Sequence, residues 1–226
     1  SESVLDGEAG FAAMIGSDRC DAGVLCDFSS FSLPRVCLKP YPCCRWMHPA
    51  LDALSLLMAE EPFRPEDLAS LRVDTTPPVA ARFGRVRART FLDMEFSTPL
   101  TLALALHGVP RQSLFERRFW DAPSVRACAA KITLSPDEGL WKRFLKLGRN
   151  SSCVPARLTL RLKNGRCRQA LCDTASGSPE KPLSPDARRE KWAGLLAPMG
   201  QERAARLVET ALRFDELEDI RELTAF

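Results

Sequence analysis

The sequence predicts an α+β protein, and three stretches carry this prediction. Residues 155–172 contain two runs in which apolar and polar side chains alternate, and Asn164-Gly165 joins them. An Asn-Gly pair is strongly favoured in the two-residue turn of an antiparallel β-hairpin. Residues 50–59 and 101–108 are apolar almost throughout, which is typical of buried helices. A β-hairpin together with separate buried helices indicates a mixed fold.

The composition narrows the class of protein. The chain has 226 residues, 45% of them hydrophobic, and a net charge of +3, which suits one large domain or two small ones. No basic stripe interleaves with aromatic residues, so we expect no nucleic-acid partner. No apolar run approaches the ~20 residues that span a bilayer, so we expect no membrane partner either.

The nine cysteines do not indicate a disulfide framework or a metal site. Their number is odd, Cys43 and Cys44 are adjacent, and the chain has only two histidines, so no zinc-ligand spacing occurs. We therefore expect reduced thiols, no bound metal, no secretory signal and a cytoplasmic location.

The first half of the chain is expected to hold short elements that lead into one buried helix. Residues 8–15 show a short helical pattern, and residues 31–38 have an extended character. A helix is expected to begin at Pro49, because proline is well placed in a first helical turn. Residues 71–75 alternate in polarity and predict a strand.

The second half mixes helices with a short strand. Residues 77–89 are rich in arginine and are interpreted as a solvated face. Helices are expected at residues 111–120, 123–131 and 141–148, and a short strand at 132–134. A loop rich in Gly, Ser and Pro at residues 174–185 then precedes three amphipathic helices. These final helices are expected at residues 186–197, 201–213 and 215–223.

The stretch KPYPCCRWMHP, at residues 39–49, gathers several reactive side chains. It contains the only tyrosine and one of the two histidines. Its prolines disfavour a helix through the segment, so we expect a stiff loop. Lys39, Arg45 and His48 supply a point cation, a forked cation and a proton carrier, which are the groups that a polycarboxylate substrate requires. We interpret this stretch, the motif loop, as the functional site.

A structural interpretation of the motif loop stands beside the functional one. A lysine and an arginine on a loop are commonly solvated, and a lone histidine is commonly a hydrogen-bonded structural residue. If a helix begins at Pro49, Arg45 and His48 would flank its N-terminus, where free N–H groups and the helix dipole attract anions.

The motif loop and the residues after it carry a resemblance to a known family. KPYPCCRWMHPALDA resembles the KPYP-[SC]-C-R-x-x-H-P-A-[IL]-D-A pattern of the MmgE/PrpD family. That family includes 2-methylcitrate dehydratase, cis-aconitate decarboxylase and iminodisuccinate epimerase. Further matches to family segments occur at Phe96, Ser97, Pro99, Gly177, Pro179, Pro182, Leu183, Ser184, Lys191 and Trp192. At a position where many members carry a tyrosine near the substrate, this chain has Leu100.

The resemblance implies a domain organisation. It covers the C-terminal half of the family's sequence, which contains an α+β lid domain and helices of a mostly α-helical domain. Residues 1–60 would be a helical-domain segment with the motif loop, residues 61–173 the lid domain with the β-hairpin, and residues 174–226 the C-terminal helices that return to the helical domain. A missing N-terminal half, or a partner chain that supplies it, would complete the helical domain.

The resemblance also implies an activity and roles for the motif loop. The family chemistry is a cofactor-independent lyase or isomerase reaction on a di- or tricarboxylic acid such as 2-methylcitrate or cis-aconitate, with proton abstraction beside a carboxylate. Its outcome is dehydration, decarboxylation or epimerisation. The candidate catalytic residues are His48, Lys39 and Tyr41, and the candidate substrate-binding residues are Lys39, Arg45, Cys43 and Cys44. The cysteines are expected to line the pocket without acting as nucleophiles.

The expected partners follow from the same resemblance. We expect activity only together with an N-terminal half, so the chain would be either a truncated product or one subunit of a split hetero-oligomeric enzyme, with family-type dimerisation also open. The alternative is a catalytically repurposed or non-catalytic family member that acts as a partner subunit in a biosynthetic pathway. Leu100 supports the alternative, because leucine neither donates a hydrogen bond nor transfers a proton.

Overall fold

The computed structural model describes residues 10–14, 23, 27–29, 33–114, 116–147 and 154–224. The chain divides into two compact units, Ser1–Val36 and Cys37–Phe226. In the first unit the described structure contains helix α1, Phe11–Met14, and a 3-10 turn, Leu33–Arg35. Helix α1 lies within the predicted helix at residues 8–15; Gly10 is a bend, and the other residues of that prediction fall outside the described ones. The prediction of extended backbone is wrong at Leu33–Arg35, since the fixed φ of a proline also suits a 3-10 turn.

A four-stranded mixed sheet forms the centre of the second unit. Its strands are β1 Leu68–Thr75, β2 Ile132–Pro136, β3 Ala156–Leu162 and β4 Cys167–Cys172. The order across the sheet is β2-β1-β3-β4, with β1 and β2 parallel and the other neighbours antiparallel. The predicted hairpin is confirmed as β3 and β4, and Gly165 in its turn has a φ of 84°, which glycine adopts readily.

The helices of the second unit connect and cover the strands. They are α2 His48–Glu60, α3 Pro77–Phe83, α4 Phe91–Glu95, α5 Thr98–Leu106, α6 Arg117–Trp120, α7 Pro123–Ala129, α8 Glu138–Leu147, α9 Pro185–Leu196 and α10 Gln201–Leu212. Helix α2 packs on β3, β4 and α5. Both α2 and α5 are largely buried, as their apolar sequences predict, and α2 contributes Leu51, Leu54 and Leu57 to the core. The α+β fold class is therefore confirmed.

Two further predicted elements differ from the structure. The expected helix at residues 111–120 is a 3-10 turn, Arg111–Ser113, followed by α6. Both Leu114 and Trp120 are buried, but on one continuous helix they would lie about 120° apart, so a break lets both reach the core. The arginine-rich run at residues 77–89 keeps its four arginines exposed, in agreement with a solvated face, and it includes helix α3, with proline in its first turn.

The second difference concerns the end of the chain. The expected helix at residues 215–223 is replaced by two 3-10 turns, Phe214–Glu216 and Ile220–Thr224. Asp215 and Asp219 stand four residues apart, so they would repel each other along one face of a helix. Instead, Asp219 forms an ion pair with Arg221.

The structure leaves the predicted domain boundaries as predictions. The boundaries after residues 60 and 173 both fall inside the unit Cys37–Phe226. Among the described residues, no helix is both long enough and apolar enough to cross a lipid bilayer.

Candidate functional site

The motif loop folds as a run of bends over residues 40–43 followed by a tight turn. A 3-10 turn, Arg45–Met47, runs directly into α2. The prolines of the loop keep its first part out of a helix, and Pro49 begins the regular helix in its first turn. Alternate residues of the loop are buried, namely Tyr41, Cys43 and Arg45, together with Met47 and His48. The loop therefore presents two faces, one toward the protein interior and one away from it.

Arg45 lies on the interior face and is 8% exposed. Its Nη1 donates to the carbonyl oxygen of Ser176 at 2.7 Å, and its Nη2 donates to the carbonyl oxygen of Ala175 at 3.1 Å and to Ser178 Oγ at 2.6 Å. The forked guanidinium suits this recognition of several oxygens at once. Arg45 thus fastens the motif loop to the segment 174–181, which we call the anchor loop.

His48 is fully buried beside Arg45. Its Nδ1 lies 3.1 Å from Arg45 Nη1, and its Nε2 lies 3.3 Å from the carbonyl oxygen of Cys43. Because a guanidinium only donates, Nδ1 must accept, and the ring proton belongs on Nε2. Burial, and then the Arg45 charge, lower the pKa of His48 to about 4. The imidazole is therefore neutral at physiological pH, with both ring nitrogens occupied.

Tyr41 and Asp52 form a second link between the motif loop and the anchor loop. The Tyr41 hydroxyl donates to Asp52 Oδ1 at 3.0 Å, and the backbone N–H of Ser176 donates to Asp52 Oδ2 at 2.6 Å. Lys181 Nζ lies 3.6 Å from the same Asp52 oxygen. Burial, and then the Asp52 charge, raise the pKa of Tyr41 to about 12. Tyr41 therefore remains a neutral phenol whose proton is already directed at Asp52.

Gly177 allows the anchor loop to approach the chain just before the motif loop. Its φ is 83°, and a Cβ placed there would lie 1.9 Å from the carbonyl oxygen of Leu38. The backbone N–H of Leu38 donates to the carbonyl oxygen of Gly177 at 2.8 Å. Only glycine fits both the positive φ and this close approach.

The first part of the motif loop, residues 39–42, borders a cavity of about 570 Å³. Lys39 and Tyr41 contribute from the motif loop, and Arg111, Glu190 and Lys191 contribute from later elements. The Arg111 guanidinium lies over the Tyr41 ring, 4.8 Å from its centroid. Lys191 Nζ donates to the carbonyl oxygen of Lys39 at 2.7 Å, which ties helix α9 to the motif loop.

The structure separates the predicted site residues into two groups. Lys39 and Tyr41 line the cavity, whereas Arg45, His48 and Cys43 are buried away from it. Tyr41 and His48 touch edge to face, with ring centroids 5.2 Å apart. The catalytic and substrate-binding roles assigned to these residues stay predictions, but the geometry brings only part of the set to one cavity.

The two adjacent cysteines have different surroundings. Cys43 is fully buried, and burial raises the pKa of its thiol well above the ordinary value. Cys44 is half-buried, and its backbone N–H donates to the carbonyl oxygen of Glu95 at 3.2 Å. A protonated, buried Cys43 suits packing better than nucleophilic attack.

Sequence reasoning missed three residues that the structure places at or beside the site. Arg111 and Glu95 line the cavity, and Asp52 holds Tyr41 and the anchor loop together. A carboxylate inside the apolar run of α2 was a signal for Asp52, since a buried acid requires partners. No local pattern pointed to Arg111, which reaches the motif loop only through the tertiary fold. In the described part of the chain, no group of three or more His, Cys, Asp or Glu side chains is arranged to hold a metal ion.

The fold and the site define an α+β domain whose motif loop borders a cavity lined by three cationic and two acidic side chains. Residues 41–216 match the model of the MmgE/PrpD C-terminal domain. The chain therefore belongs to the MmgE/PrpD family, a family of the dehydratase and lyase type. The match begins within the motif loop and includes the sheet, the anchor loop and helices α9 and α10. No curated protein matches the chain significantly.

Proposed function

We propose that the chain is the C-terminal part of an MmgE/PrpD-type lyase or isomerase that acts on a di- or tricarboxylic acid in the cytoplasm. The observation that carries the proposal is the cavity at which Lys39 and Tyr41 meet Arg111 and Lys191. Three cationic side chains against two acidic ones, Glu95 and Glu190, leave the cavity with a net positive charge, which favours a ligand that carries more than one carboxylate. The volume is within the range of small-molecule sites.

The proposed reaction removes a proton from the carbon beside a carboxylate. A cation held against that carboxylate stabilises the negative charge that develops as the proton leaves. Lys39 lies at the cavity and is exposed, so its ammonium is suited to this electrostatic role. The resemblance to the family implies that further catalytic groups come from the N-terminal half and that no metal or organic cofactor takes part.

His48 and Tyr41 support the cavity wall in this proposal. Tyr41 presents its ring and its phenol oxygen, while Asp52 accepts the hydroxyl proton. His48 contacts the Tyr41 ring from the interior and would need to exchange a hydrogen bond before it could carry a proton. Direct proton transfer by His48 therefore remains a prediction, and orientation of Tyr41 is the role that its contacts support.

We further propose that helices α9 and α10 pack against the family's N-terminal half, whether as part of the same polypeptide or as a partner chain. A groove of about 640 Å³ runs between these helices and is lined by apolar side chains that include Trp192, Leu196, Val208 and Leu212. No residue of either helix is buried within the described part of the chain. An amphipathic helix commonly covers such a face by packing on another element.

The test of the proposed reaction follows proton exchange in the protein as purified from its native cells, with any stoichiometric partner retained. The protein is incubated in D₂O with 2-methylcitrate, cis-aconitate and other di- and tricarboxylic acids, and NMR follows loss of the C–H signal beside a carboxylate and formation of product. We expect exchange or turnover with at least one acid. Folded protein that exchanges none of them would contradict the proposal.

A matched pair of variants links the reaction to the cavity. Lys39→Gln should reduce the rate of exchange or turnover by about 100-fold, a typical effect of losing one electrostatic group. Lys142→Gln removes an exposed lysine of α8 that does not line the cavity, and it should leave the rate unchanged. Equal rates for the two variants would remove Lys39 from the mechanism.

The second candidate function is that of a non-catalytic or repurposed subunit, and Leu100 favours it. Leu100 is buried in α5 and is not among the residues that line the cavity, so no hydroxyl stands where many family members carry a tyrosine. If the native complex binds a polycarboxylate but neither exchanges a proton nor forms product, this second function is the better account.

A further inference from the structure

Arg45, which the sequence analysis assigned to substrate binding, already forms hydrogen bonds within the protein. The two terminal nitrogens of Arg45 contact two backbone carbonyls, the Ser178 hydroxyl and the His48 ring. Arg45 is almost fully buried, and it does not line the cavity of Lys39 and Tyr41. A substrate carboxylate could reach it only after the anchor loop had moved away.

Arg111 is available at the cavity in the way that Arg45 is not. It is exposed and lies over the Tyr41 ring at 4.8 Å. Among the described residues, its guanidinium stacks on this ring and forms no hydrogen bond or ion pair. A guanidinium stacked on an aromatic ring keeps its N–H donors at its edge, where they suit a carboxylate.

The turn that carries Arg111 is held in place on both sides. The 3-10 turn Arg111–Ser113 follows Pro110, and the backbone N–H of Ser113 donates to the Pro110 carbonyl oxygen at 2.9 Å. Gln112 packs against helix α9 so closely that a Cβ at Gly194 would lie 3.3 Å from Gln112 Oε1. Fixing the backbone near a binding group lowers the entropy that is lost when a ligand binds.

Arg111 and Lys39 supply two cations of different kinds to one cavity. Lys191 donates to the Lys39 backbone and so positions the lysine, while Tyr41 supports the arginine from below its plane. The cavity also contains Glu95 and Glu190, which oppose unspecific accumulation of anions. A ligand must then satisfy both cations at once to overcome that repulsion, as a polycarboxylate does and a monocarboxylate does not.

We infer that Arg111 is the substrate-binding arginine of this cavity and that, together with Lys39, it determines a preference for polycarboxylates over monocarboxylates. This inference rests on the proposed function, because it assigns a specificity-determining residue to the same cavity. It differs from the sequence-based assignment, which gave the carboxylate-binding arginine as Arg45.

Calorimetric titration of the full chain with citrate, at constant ionic strength, tests the inference. We expect citrate to bind more tightly than acetate. Arg111→Gln should weaken citrate binding by about 10- to 100-fold, the loss expected for a charged hydrogen-bonding partner. Arg111→Lys should recover part of this loss because it keeps the charge but not the fork.

Arg118→Gln is the matched control. Arg118 is also exposed and also lies over an aromatic ring, that of Phe119 at 4.7 Å, but it does not line the cavity. This variant should bind citrate as the unmodified chain does. Melting temperatures of both variants, measured without ligand, should stay within the error of the unmodified chain and so exclude misfolding as the cause.

The outcomes separate the inference from the proposed function. Unchanged citrate affinity in Arg111→Gln, an equal loss in Arg118→Gln, or no citrate binding by the unmodified chain up to about 10 mM, beyond which an affinity is very weak, would each overturn the inference. Arg111-dependent binding without any proton exchange would support the inference and contradict the proposed reaction. Proton exchange with a normal KM in Arg111→Gln would support the reaction and overturn the inference.

Discussion

Lys39 and Tyr41 border a cavity, whereas Arg45 and His48, only a few residues further along the same loop, do not line it and are buried, with Arg45 bound to the anchor loop. Lys39 keeps an exposed ammonium, whereas Tyr41 borders the cavity but directs its hydroxyl at Asp52. The side chains on the interior face have their polar groups directed at fixed partners. The motif loop thus combines a first part that borders the cavity, around Lys39, with a second part that stabilises the structure, around Arg45.

A charged residue can occur in such a motif for two reasons: to form hydrogen bonds inside the protein or to bind a ligand. A buried guanidinium is tolerated only when its hydrogen bonds are made within the protein, and Arg45 meets that condition with oxygens of the anchor loop. An exposed cation carries no such requirement, so Lys39 and Arg111 are free to bind a ligand. Stability measurements on the two faces should therefore differ strongly.

The largest effect is expected for Arg45→Ala. The variant leaves two buried backbone carbonyls and the Ser178 hydroxyl without their charged donor, so the free energy of unfolding should fall by about 4 kcal/mol. Urea denaturation measures the change. Arg82→Ala, at an exposed arginine of α3, is the control and should stay within about 0.5 kcal/mol. A loss in Arg45→Ala as small as that of the control would show that the interior face is not structural.

Gly177→Ala tests whether the anchor loop must lie this close to the motif loop. The methyl group would collide with the Leu38 carbonyl oxygen and would also force a positive φ on alanine, so we expect a loss of about 3 kcal/mol. Gly165→Ala is the matched control, because Gly165 has nearly the same φ but open space around its Cβ position. Its loss should be about 1 kcal/mol, and equal losses would mean that the contact with Leu38 is unimportant.

The pH dependence of stability reports on His48. Its pKa is lowered in the folded state, so the unfolded chain binds the proton more readily, and stability is complete above about pH 6.5 and is lost as the pH falls toward 4. Between about pH 7.5 and pH 5, His48 should account for about 2 kcal/mol of lost stability.

Urea denaturation at both pH values measures that loss. His48→Gln should show a smaller difference between the two, whereas His107→Gln, which leaves His48 in place, should keep most of it. An unchanged pH dependence in His48→Gln would show that this imidazole is not the group that opposes protonation.

The smallest effect on stability is expected on the cavity face. Lys39→Gln should change the free energy of unfolding by less than about 0.5 kcal/mol, because the exposed ammonium has no buried partner to leave unsatisfied. Urea denaturation of Lys39→Gln and Arg45→Ala under the same conditions compares their free energies of unfolding directly. A loss of several kcal/mol in Lys39→Gln would place Lys39 in the structural half of the motif and weaken its proposed role at the cavity.

Several features of this protein were determined by the sequence alone, because they depend on short windows of the chain. Asn164-Gly165 between alternating runs predicts the hairpin, and the apolar run after Pro49 predicts buried helix α2. The prolines of the motif loop predict its irregular backbone. The motif itself indicated the family that the match over residues 41–216 then showed.

Only the tertiary structure decided which side chains share a site. Whether Arg45 binds a ligand or the anchor loop depends on residues more than a hundred positions later in the chain, and no local pattern encodes that approach. Arg111 reaches Tyr41 for the same reason, through the packing of a turn whose local sequence predicted a continuous helix. Local preferences act within a few residues, whereas burial and long-range hydrogen bonding determine which face of a loop meets the interior and which meets a ligand.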